Sequence, residues 1–157
     1  MFNQKESGLL QDLKKAAELC IEKYAKYAQE ASTPQLQALL NQLTQQGHQH
    51  LQTINQIIGG SVPSMNSWQQ FGQQQSQNNQ QTLKAENYVN GSPAYKNDRF
   101  ICFDLLSMEK HVSASYNTAI FEFKDKAVRH ALNHIQKDEQ EHGEKLYNYM
   151  ASNGMYN

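Results

Sequence analysis

Apolar side chains recur at steps of three and four along four stretches of the chain, with polar residues between them. Over residues 8–30 the apolar set is Leu9, Leu10, Leu13, Ala17, Cys20, Ile21, Tyr24 and Ala28. Leu36, Leu39, Leu40, Leu43, His50, Ile54 and Ile57 form the second set. Cys102, Leu105, Val112, Tyr116, Ile120 and Phe123 form the third, and Val128, Leu132, Ile135, Leu146 and Tyr149 the fourth. Such spacing places each set on one face of an α-helix. Ser7 reads as the N-cap of the first helix, Thr33 followed by Pro34 opens the second, and Asp125 caps the fourth. Gly59-Gly60 and Gly154 read as stops, and Asn97-Asp98 as the start of the third helix.

Short turns near Thr33 and Asp125 make two helical hairpins, residues 1–60 and 97–157. The first repeats the second at an offset of 92 positions: Asp12-Leu13 matches Asp104-Leu105, Tyr24 matches Tyr116, and His50 matches His142. The caps Thr33 and Asp125 fall in the same register. Between the hairpins, residues 61–96 form a polar, glutamine-rich crossover whose default reading is a linker. Aggregation-prone tract and acyl donor for cross-linking to lysines are the competing readings of those glutamines. Trp68 and Phe71 are placed to pin the start of the crossover, and Thr82 to Tyr88 to form a short helical turn. The expected architecture is a single all-α domain, a four-helix bundle of the ferritin-like type.

Polar residues interrupt the apolar faces at Glu109, Glu139 and His142. Counted from Asp125, all three lie roughly 21–26 Å along their helices, so in an antiparallel hairpin they share one level. A Glu facing a Glu-x-x-His is half of a carboxylate-bridged two-metal site. The repeat shows what the other half lacks: Ala17 stands opposite Glu109 in register, and Gly47 opposite Glu139. Only His50 remains, and Glu18 falls off the inner face. The candidate set is therefore Glu109, Glu139, His142 and His50. The expected state is a paired polar network without a cofactor, because buried charges persist when paired. A single Zn, Mn or Fe ion on these four residues is the alternative. His130 and His134, at i and i+4, read as an outer solvated face, as do His48, Glu141 and Glu144.

The runs MEKHVSASYNTAIFEF and VRHALNHIQKDEQEHGEKLYNYM, then NGMYN at the end, resemble the spore coat F family of endospore-forming bacteria. The similarity covers roughly residues 98–157. It implies a ferritin-like helical protein of the spore coat that acts as a structural component rather than an enzyme. Other coat proteins, or further copies of the chain, are the partners it implies. It also implies synthesis in the mother-cell cytoplasm before deposition on the forespore.

Composition narrows the alternatives. A formal net charge of -1 offers no basic surface for nucleic acid. No apolar run is long enough to span a membrane, and MFNQKESGLLQDLKK lacks the pattern of an export signal. Cys20 and Cys102 both fall on apolar faces and read as small buried hydrophobes without a redox role. A metal-binding protein that handles iron or peroxide is the main competing function. It would need the carboxylates that the first hairpin does not supply.

Overall fold

In the computed structural model the described residues are 1–64 and 83–156. They form four helices: α1 (Gln4–Glu30), α2 (Pro34–Ile58), α3 (Pro93–Glu122) and α4 (Lys126–Ser152). The described residues contain no strand, and none of their helices is long and apolar enough to cross a membrane.

Each terminus is fixed by local chemistry. The first helix starts earlier than the sequence suggests. Asn3, not Ser7, is its N-cap, in a reciprocal box where Asn3 accepts from the Glu6 N–H and Glu6 accepts from the Asn3 N–H. The other Glu6 oxygen accepts the Lys124 N–H at 3.1 Å, tying the start of α1 to the α3–α4 turn. Thr33 and Asp125 cap α2 and α4 as expected. The third helix begins a turn before Asn97, with Ser92 as cap and Pro93 in its first turn. Gly60 and Gly154 take the left-handed conformation, at φ 82° and 64°, just beyond α2 and α4.

Neighbouring helices run antiparallel. α1 packs on α2 and α3, while α4 packs on α3 and α2. Lys5 pairs with Glu122 at one end of the bundle, and Asn97 donates to the Glu30 carbonyl at the other. α2 therefore ends where α1 began, and α3 starts at the opposite end. The connection must cover the bundle's length, about 37 Å for 25 helical residues. Between the helices lies one apolar core in which Leu36, Leu40, Leu43, Ile54, Leu105, Leu132 and Ile135 are wholly buried.

The last part of the crossover is docked, and residues 83–88 are not helical. The Glu86 N–H donates to Asn153 at 2.7 Å. The Tyr88 hydroxyl donates to Asp98 and meets the Tyr149 hydroxyl at 2.6 Å. Asp98 also accepts the Ser32 N–H, and Tyr149 bonds Thr33. Asp98 is thus a buried node closing the end of the bundle, not a helix start. Trp68, Phe71 and Thr82 lie outside the described residues.

Candidate metal centre

The register that places Glu109, Glu139 and His142 at one level also brings α1 and α2 to the same place. Glu109 comes from α3, Glu139 and His142 from α4, and His50 from α2. Their exposures are 2%, 5%, 1% and 5%, so water does not reach them freely. The His50 and His142 rings stack at 5.5 Å, and Tyr24 of α1 meets His142 edge-on at 6.1 Å.

His50 is the best-paired member. Its Nδ1 lies 3.1 Å from Glu139 Oε1 and its Nε2 3.0 Å from Asp138 Oδ2. Burial opposes its charge, but hydrogen bonds to Asp138 and then Glu139 outweigh that cost and raise its pKa to about 9. Burial likewise works against an ionised Glu139, yet Glu109, His142 and His50 together hold its carboxyl well below the usual range. Glu109 goes the other way. Burial, and then the Glu139 carboxylate, push it well above the usual carboxylate range. Burial and the nearby His50 charge outweigh the pull of Glu139 and lower the His142 pKa.

Pairing stops short of the centre. His142 Nδ1 is 3.3 Å from Glu139 Oε2 and 3.7 Å from Glu109 Oε1. Even so, both Glu109 oxygens, Glu139 Oε2 and both His142 nitrogens have no hydrogen-bond partner among the described residues. The buried hydroxyls of Tyr24 and Tyr116 are in the same position. One ligand atom each from Glu109, Glu139 and His142 lies within 4.8 Å of the others. Ligand bonds of about 2.0–2.2 Å put two donors on one ion up to roughly 4.4 Å apart, so a slight contraction would seat one. Donor type and spacing fit a metal ion.

Three of the four expected residues thus converge, and His50 stands one step back, holding Glu139. Asp138, which fixes the far side of His50, escaped the sequence reading because it sits beside the apolar stripe. Its one signal was His134 four residues earlier, and the two approach at 3.7 Å. His134 is accordingly half-buried on the α2 side rather than on an outer face, whereas His130 and His48 are exposed. Glu141 pairs with Lys137, and Glu144, Glu18 and Glu22 face solvent. Cys20 lies near the two glutamates, and burial, with their charge, pushes its thiol up. Cys20 and Cys102 are both buried and free.

Residues 97–157 match the family model of the Coat F domain. The second hairpin belongs to that family. The match bears out the resemblance carried by the runs around Glu109 and Glu139. No curated protein and no solved structure matches the chain. The Coat F domain contributes Glu109, Asp138, Glu139 and His142, so most of the polar centre lies within it. The first hairpin adds His50, Tyr24 and Cys20 from the facing wall.

Proposed function

We propose that the protein is a structural, non-catalytic component of the endospore coat, with a ferritin-like bundle as its scaffold. The match of the second hairpin to the Coat F domain carries this reading. Ferritin-like ancestry accounts for two hairpins joined by an end-to-end connection, with a Glu and a Glu-x-x-His in the centre. A catalytic role is disfavoured by the first hairpin, which offers Ala17 and Gly47 where a two-metal site needs carboxylates. The polar centre is also buried, with Glu109, Glu139, His142 and His50 each at most 5% exposed. Outer faces are better suited to assembly. Phe100 and Phe121 on α3 are 64% and 83% exposed, apolar surface available to other coat proteins or to further copies of the chain. Synthesis in the mother-cell cytoplasm, with deposition on the forespore, completes the reading.

Fractionation of purified spores tests it. The protein should leave the spore with the coat extract and be absent from the decoated core. Recovery in the core fraction alone would overturn the coat role.

A further inference from the structure

We propose that the bundle interior holds a single divalent transition-metal ion on Glu109, Glu139 and His142. The argument begins with donors that lack partners. Both Glu109 oxygens, Glu139 Oε2 and both His142 nitrogens are buried and without hydrogen bonds among the described residues. Buried polar groups in folded proteins are almost always satisfied by protein, water or an ion. These five atoms sit on three residues whose ligand atoms gather within 4.8 Å.

The surroundings are arranged as a ligand's support would be. His50 takes Glu139 Oε1 at 3.1 Å, which leaves Oε2 for the centre. Asp138 holds the other nitrogen of His50 at 3.0 Å. Chains of this kind, from carboxylate to imidazole to ligand, fix the orientation of metal-binding side chains. The unpartnered hydroxyls of Tyr24 and Tyr116 are further polar groups in the same interior.

The same geometry limits the count to one. A Cβ at position 47 would lie 2.9 Å from Ile21 Cγ1, so Ile21 fills the place where the repeat would set a second glutamate. Ala17 supplies no ligand on the other first-hairpin helix. Two carboxylates and an imidazole suit Mn²⁺, Fe²⁺ or Zn²⁺ better than Ca²⁺ or Mg²⁺, which favour all-oxygen shells. This ion stabilises the bundle, and its presence does not depend on the coat role.

The test uses the full chain stripped with chelator, titrated with Mn²⁺ or Zn²⁺, desalted and assayed for retained metal, with the melting temperature followed in parallel. One ion per chain and a higher melting temperature are expected. Glu109→Gln and His142→Gln should abolish both effects. Asp138→Asn should weaken binding about 10–100-fold while leaving the fold intact by circular dichroism. His130→Gln, on an exposed position, should bind as the wild type does. Zero or two ions per wild-type chain would overturn the proposal, as would binding that survives Glu109→Gln together with His142→Gln. Zero ions would mean that ordered water satisfies the five atoms. The wild-type stoichiometry decides the matter even if a variant fails to fold.

Discussion

Glu109 and Asp104 sit little more than a turn apart on α3 and show how burial changes what a carboxylate does. Asp104 is about one-third exposed and meets Lys23 at 2.7 Å and the Tyr27 hydroxyl at 2.6 Å. Burial raises its pKa, but Lys23 and Tyr27 outweigh that effect and hold it below the usual range. A depressed folded-state pKa means that the stabilisation is present above the unfolded value near 3.9 and is lost as pH falls through the folded one. Asp104→Asn should therefore lower the urea midpoint at pH 7 and flatten the loss of stability below about pH 4. The effect should stay under ~1 kcal/mol because solvent screens the pair. Glu109 has no such partner. In chelator, Glu109→Leu with Glu139→Leu should be less stable than the wild type, because it strips buried His50 of one of its two carboxylate partners. Added Mn²⁺ should raise the melting temperature of the wild type and leave that of the double variant unchanged. Equal shifts in both would mean that the glutamates are not ligands. At this scale the sequence was informative about Glu109, Glu139 and His142, because each interrupts an apolar stripe at a countable position. It was silent about Asp138, whose role depends on His50 arriving from another helix.

The helices themselves were legible wherever the apolar stripe was regular, and their starts less so. Thr33-Pro34 and Ser92-Pro93 are the same signal, a hydroxyl cap followed by proline, and both open helices. The second was hidden because Asn90-Gly91 before it also reads as a turn. Asn3 was overlooked as a cap because the capping box requires Glu6 to be read as a bonding group rather than a surface charge. Docking of residues 83–88 was invisible for a different reason. It rests on hydroxyl contacts from Tyr88 to Asp98 and Tyr149, which no periodicity encodes. The crossover, read as a polar linker, is thus anchored over its last residues. Tyr88→Phe removes a partner from buried Asp98 and should cost about 1–3 kcal/mol. It should also speed tryptic cleavage after Lys84. An unchanged cleavage rate would show that the apolar contacts of Leu83 and Tyr88 suffice to hold the segment.

At the scale of the whole molecule, four antiparallel helices enclose a polar centre that the Coat F domain largely builds and the first hairpin closes. Fold class followed from periodicity and two short turns, because a bundle is specified by which faces must be buried. The coat assignment followed from the run of similarity in the second hairpin and from no site geometry. A protein that serves as coat structure must be made for sporulation and end at the spore surface. Live imaging of a fluorescent fusion through growth and sporulation tests this most directly. The account predicts no signal in vegetative cells, followed by a ring around each developing spore. Uniform fluorescence in growing cells, with no enrichment on spores, would contradict it.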